Sequence, residues 1–181
     1  MIRRFALIIV MIAVVLSSLA CGSDDETTGP RITLAPPEKG SAVTFPDPNL
    51  EDLIREAFDR PSGDIYESDL KLLQELRANE KGITDLTGLK HCANLKILDL
   101  AGNDVEDLTP ISNLTSLTDL GLYQNEISDI TPLANLTGLN LIVLGENQVS
   151  DITPLANLTS LIYLYLADNQ ISDASPVSNL T

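Results

Sequence analysis

The sequence predicts an α/β solenoid, a curved stack of parallel strands with the sheet on its inner, concave face and a small helical cap at the N-terminal end. Three observations predict it. The decapeptide SDITPLANLT stands at Ser128 to Thr137 and again, letter for letter, at Ser150 to Thr159, 22 positions on, and self-similarity at such a period marks stacked units. Apolar residues recur as LxxLxL in each unit, the alternation of a strand with one buried face. A stretch with helical spacing lies ahead of the first unit.

Alignment on the echo gives units starting at Leu95, Leu117, Leu139 and Leu161, with a weaker copy from Leu73. In each, positions four and six point into a core and positions three, five and seven point away from it. Asn103, Asn125, Asn147 and Asn169 fall at the turn out of the strand, where a side-chain amide satisfies backbone groups left unpaired by the bend. Val105, Ile127, Val149 and Ile171 return to the core, followed by Leu108, Ile130 and Ile152, then by Ile111, Leu133, Leu155 and Val177. Pro110, Pro132, Pro154 and Pro176 fix φ and lack an N–H, which suits an irregular or short helical return better than a long helix. The shared frame LxxLxLxxNxIxDITPLANLTx resembles the 22-residue leucine-rich repeat of bacterial internalin-type proteins, from about Val43 to Thr181. The resemblance implies a leucine-rich repeat horseshoe, with five repeats over 73–181.

Ahead of the repeats, FPDPNLEDLIREAFDRPSGD places Asp47 as an N-cap and Pro48 in the first turn of a helix. Its apolar Leu50, Leu53, Ile54, Ala57 and Phe58 are three and four residues apart, and a second short helical stretch is expected around Glu67 to Leu72. Residues 43–72 resemble the helical cap of internalin-like proteins, which hides the open end of the core. No equivalent sequence follows the last unit. Two expectations stand: a fragment of a longer protein, or an end covered from outside.

Residues 1–20 read as a secretory signal peptide, with Arg3 and Arg4, the apolar FALIIVMIAVVL and then small residues. An uncleaved anchor is the alternative, although the apolar run is short of the roughly 20 residues a spanning helix needs. Ser18-Leu19-Ala20-Cys21 resembles the lipobox of bacterial lipoproteins, with Ser18 where Leu is usual. The resemblance implies lipidation of Cys21 and anchoring in a membrane; Gly22 after the cysteine leans towards an outer membrane or the cell surface. Residues 21–42, rich in Gly, Ser, Thr, Pro and acids, make a flexible linker behind the lipidated cysteine.

The chain carries a formal charge of −15, which becomes −17 when Arg3 and Arg4 leave with the leader. Such a surface repels nucleic-acid phosphates and disfavours nucleic-acid binding. With a single histidine, His91, and neither a Gly-x-Ser-x-Gly turn nor a metal-spaced Cys/His cluster, the sequence offers no catalytic constellation, metal site or cofactor site. Cys92 replaces a core leucine and reads as a buried, inert thiol. The column Asp107, Asp129, Asp151 and Asp173 reads as turn caps in preference to a cation site. The NLT triplets from Asn113 onward match a glycosylation pattern, but repeat geometry explains them sufficiently.

Positions three, five and seven vary while the frame does not, as binding positions should. Polar residues crowd the first units; Tyr123, Leu141, Val143, Tyr163 and Tyr165 gather in the last ones, rimmed by Asp119, Glu146 and Asp168. An exposed apolar and tyrosine-rich cluster with that rim has the composition of an interaction site. The alternative is a surface that further chain would cover. The sequence therefore predicts a non-enzymatic, lipid-anchored, extracytoplasmic module that binds a protein or peptide, with the acidic rim favouring a basic one. The second expectation is the N-terminal recognition part of a longer surface enzyme or wall-associated protein.

Overall fold

The computed structural model describes residues 39–178 and Leu180. The signal peptide, Cys21 and most of the 21–42 linker lie outside the described residues, as does Asn179 of the last NLT triplet. No helix of the described residues is long and apolar enough to cross a membrane.

The N-terminal end is built on Asp47. Helix α1, Pro48–Ala57, starts where the Asp47 carboxylate accepts from the N–H groups of Asn49 and Leu50, at 2.9 and 3.0 Å. This cap satisfies donors that the first turn leaves orphaned. The carboxylate's other oxygen accepts from the backbone N–H groups of Thr84 and Asp85, at 2.8 and 3.2 Å, and so ties the helix to the first coil. Asn49 Nδ2 adds a bond to the carbonyl of Gly82. Leu50 and Ile54 are fully buried, while Leu53, Ala57 and Phe58 pack half-buried beside them. The second helical stretch is one turn, α2 (Glu67–Leu70), shorter than the Glu67 to Leu72 span its sequence suggests. Leu72 points outward and is 73 % exposed.

Two elements here have no sequence signal. Strands β1 (Ala42–Val43) and β2 (Ile65–Tyr66) pair antiparallel, with Val43 opposite Ile65. Two residues are too few to display a period. Phe45 lies against Gly88, whose φ of 106° and lack of a side chain are both required, since a Cβ there would stand 2.5 Å from the Phe45 ring.

Strands β3 (Glu75–Arg77), β4 (Ile97–Asp99), β5 (Asp119–Gly121), β6 (Leu141–Val143) and β7 (Tyr163–Tyr165) form a parallel five-stranded sheet in sequence order. Leu76, Leu98, Leu120, Ile142 and Leu164 stand in one continuous register. The first four are buried, Leu98, Leu120 and Ile142 completely; Leu164, on the edge strand of the sheet among the described residues, is half-buried. Short 3₁₀ turns at Leu89–His91, Thr109–Ile111, Thr131–Leu133, Thr153–Leu155 and Ser175–Val177 run back on the convex side. The last four carry proline in the first turn, and the aspartates two residues before those turns accept from the N–H of Thr109, Thr131, Thr153 and Ser175 at 2.7–2.9 Å. The acidic column is therefore a set of turn caps.

The asparagines form a ladder. Asn125 Oδ1 accepts from the N–H of Val105 at 3.0 Å, and its Nδ2 donates to the carbonyls of Leu100 and Leu122 at 2.9 and 3.2 Å. Asn147 repeats the pattern with Ile127, Leu122 and Leu144, and Asn169 with Val149, Leu144 and Leu166. Each side chain thus joins its own coil to the one before it. In the first coil the same position is Lys81, whose N–H donates to Asn103 Oδ1.

Candidate functional site

The side chains that face away from the leucines line the concave sheet, and the register fixes their neighbours. Along position three run Glu75, Ile97, Asp119, Leu141 and Tyr163; along position five run Arg77, Asp99, Gly121, Val143 and Tyr165. Asn79, Ala101, Tyr123, Gly145 and Ala167 follow two residues on, at the strand exits. All the interaction residues expected from sequence stand on this surface. Leu141 pairs with Tyr163 and Val143 with Tyr165, so these four form one contiguous block. Tyr163 is 68 % exposed and Tyr165 48 %, whereas Leu141, Val143 and Tyr123 are half-buried. Part of the tyrosines' exposure comes from β7 being the edge of the sheet.

Two contacts shape the tyrosines. The Tyr165 ring lies over Gly145 and occupies the space that a side chain there would need. The Tyr123 hydroxyl donates to the Glu146 carboxylate, whose other oxygen accepts from Gln124 Nε2 at 2.6 Å. That hydrogen bond to Glu146 pushes the Tyr123 phenol up to about 12, with burial and the nearby acids acting in the same direction. The same bond, with the one from Gln124, holds the Glu146 carboxyl below its usual range. The bond holds the Tyr123 hydroxyl against Glu146 at the edge of the face.

Sequence reasoning missed the centre of this surface. Gly121 has Asp99 on one side, Val143 on the other, and Ile97 and Leu141 diagonal to it. With no side chain at its middle, the sheet carries a depression of about 360 Å³ bordered by Arg77, Asp99, Asp119, Tyr123, Leu141 and Val143. A glycine in the position that holds Arg, Asp, Val and Tyr in the other units was the available signal. A second signal is a run of sequence: from Ile97 to Thr181 there are eleven acids and no lysine or arginine.

His91 sits half-buried with Nδ1 3.8 Å from the Glu67 carboxylate, beside the N-terminal end and away from the concave strands. Cys92 is fully buried and free, and burial pushes its thiol up to about 12, as for a core thiol that packs like the leucines it replaces. Among the described residues no group of three or more His, Cys, Asp or Glu side chains is placed to hold a metal ion.

Register, asparagine ladder and 3₁₀ returns define the fold as a leucine-rich repeat solenoid of internalin-like build. A family model described as leucine-rich repeats, two copies, matches residues 93–135. An internalin, InlF of Listeria monocytogenes, is similar at 30 % identity and a TM-score of 0.65, over 76 % of this chain and 48 % of its own length. The functional domain of InlJ from the same species, which includes a cysteine ladder, is similar at 28 % identity and a TM-score of 0.67, over 80 % of this chain and 33 % of its own. The chain thus spans half or less of these two relatives. The leucine-rich repeat ectodomain of the plant membrane receptor kinase GASSHO1/SCHENGEN3 from Arabidopsis thaliana shares the fold at 24 % identity and a TM-score of 0.56, over 63 % of this chain and 15 % of its own. No curated protein matches the sequence significantly.

Proposed function

We propose that this chain is a lipid-anchored, extracytoplasmic module that binds a protein or peptide through its concave face and carries out no catalysis of its own. The leucine-rich repeat fold, with its exposed concave sheet, supports a protein-binding reading. The observation that carries the reading is the contiguous block of Leu141, Val143, Tyr163 and Tyr165, with Tyr123 beside it, on strands whose other face is buried leucine and isoleucine. Tyrosines supply large contact area with few rotamers to freeze, and a few such residues dominate most interfaces. The rim of Asp119, Glu146 and Asp168 favours a ligand bearing lysine or arginine. Lipid on Cys21 would hold the module at a bacterial membrane or cell surface, with residues 21–42 as the tether.

The test is recovery of a surface-extract protein by immobilised wild-type module and by Tyr163→Ala/Tyr165→Ala. A partner retained by the first and lost by the second is the expected result; equal recovery moves the site off the concave face. Mass spectrometry of the membrane-extracted protein checks the anchor, and an unmodified Cys21 in the mature chain rejects it.

A further inference from the structure

We infer that the depression over Gly121 is the seat of a lysine or arginine side chain of the bound peptide or protein, an inference that rests on the concave-face reading above. The depression combines apolar walls with two carboxylates that lack a cation. Ile97, Leu141 and Val143 are half-buried and offer aliphatic surface to a methylene stem. Asp99 leans into the vacant centre, its Oδ1 standing 2.5 Å from where a Gly121 Cβ would be. Asp119 precedes Gly121 by two residues on the same strand and borders the same space.

Both carboxylates are held by neutral donors. Asp99 accepts from Asn79 Nδ2 at 2.9 Å and from the N–H of Ala101 at 3.3 Å, and Asp119 accepts from the Thr118 hydroxyl at 2.6 Å. Each carboxylate has about four lone-pair sites, so each keeps acceptor capacity. Among the described residues neither is in an ion pair. Arg77 borders the depression but is paired with Glu75 instead. The coils from Leu117 onward contain no lysine or arginine, and among the described residues neither Lys96 nor Arg77 is paired with the two acids. A cationic side chain of a ligand would find complementary charge there that the face itself does not pair. A space of about 360 Å³ is at the lower end of small-ligand pockets and suits one extended side chain.

The experiment pans a phage-displayed random dodecapeptide library against the wild-type module, then measures enriched peptides by fluorescence anisotropy. The variants are Asp99→Asn/Asp119→Asn, Gly121→Val and Tyr163→Ala/Tyr165→Ala. Asn substitutions keep shape and remove charge, whereas Val at a strand position fills the depression and displaces the Asp99 carboxylate. Unfolding midpoints equal to wild type establish that each variant is folded. Enriched peptides are expected to share a lysine or arginine. Changing that residue to Gln, neutralising the two acids, or filling the depression should each weaken binding by about fivefold or more, and the Asn pair should flatten the salt dependence. Peptides without a shared basic residue, peptides that bind both depression variants as tightly as wild type, or a library that yields no binder overturn the inference. If the tyrosine variant weakens binding while the depression variants do not, the concave face stands as the binding surface and only the cationic seat falls. If none of the three weakens it, both readings fall.

Discussion

Replacing Asn125 with alanine isolates the contribution of the asparagine ladder, because its partners differ in what they keep. The Val105 N–H has Asn125 Oδ1 as its acceptor, at 3.0 Å, and Val105 is fully buried. Truncation orphans that donor. The carbonyls are better protected: Leu100 still receives Asn103 Nδ2 at 2.8 Å, and Leu122 still receives Asn147 Nδ2 at 2.8 Å. The Tyr123 carbonyl likewise keeps the N–H of Gly102. One buried unsatisfied N–H costs about 1–3 kcal/mol, and second bonds lost from carbonyls that retain a partner add roughly 0.5 kcal/mol each. Asn125→Ala should therefore destabilise by about 3 kcal/mol. Asn169→Ala removes the same pattern from a half-buried site on the last coil, where water replaces the lost amide, so its cost should be about 1 kcal/mol. Urea unfolding followed by far-ultraviolet circular dichroism measures both. Equal losses in the two variants, or an Asn125→Ala loss below about 0.5 kcal/mol, would refute the assignment of the cost to burial of the Asn125 amide, since Val105 and Val149 are equally buried.

Ile142 is fully buried at the centre of the sheet, so Ile142→Asp should cost about 4 kcal/mol or more by burying an unpaired charge. Asp129→Ala, which removes an exposed cap from the N–H of Thr131, should lower the urea midpoint far less; comparable midpoints would show that the inward and outward positions are misassigned. At Asp47 burial raises the carboxyl pKa but is outweighed by the hydrogen bonds from Thr84, Leu50 and Asp85, which hold it below its usual range. A depressed folded pKa gives stability that is present above the ordinary carboxylate value of about 4 and is lost as pH falls through the lower folded value. The stability gap between wild type and Asp47→Asn, followed by urea unfolding across a pH series, should thus be constant near neutrality and shrink below about pH 4; a gap that persists unchanged to acid pH contradicts the link.

The repeat frame was legible in the sequence because each unit tests the same prediction again. Leu98, Leu120 and Ile142 face inward, Asn103, Asn125 and Asn147 are buried at the turns, and the aspartates cap the returns, all of which follow from local spacing. What sequence left hidden depends on lateral neighbours. The depression at Gly121 exists only because Asp99 and Val143 flank it from strands on either side, each 22 residues away in the chain. At Gly145, just past its strand, the Tyr165 ring takes the space, whereas at Gly121 the Asp99 carboxylate leans in and leaves a depression beside it. A glycine on this face marks a gap, and only the lateral neighbours tell how far it is closed.

The asparagine ladder has a direction. Every rung is supplied by the later coil and received by backbone groups of the earlier one, so the earlier coil needs no particular side chain of its own to be held. An added unit brings its own fastening. Genetic duplication of one unit can therefore lengthen the array without compensating changes in those already present, and the verbatim decapeptide at Ser128 and Ser150 is what a recent copying event of that kind would leave behind. At the other end that freedom is absent. Lys81 occupies the asparagine position of the first coil, and Asp47 and Asn49 do the fastening from outside the repeat. The N-terminal end is thus a fixed origin, and variation in the number of coils is expected to accumulate on its far side.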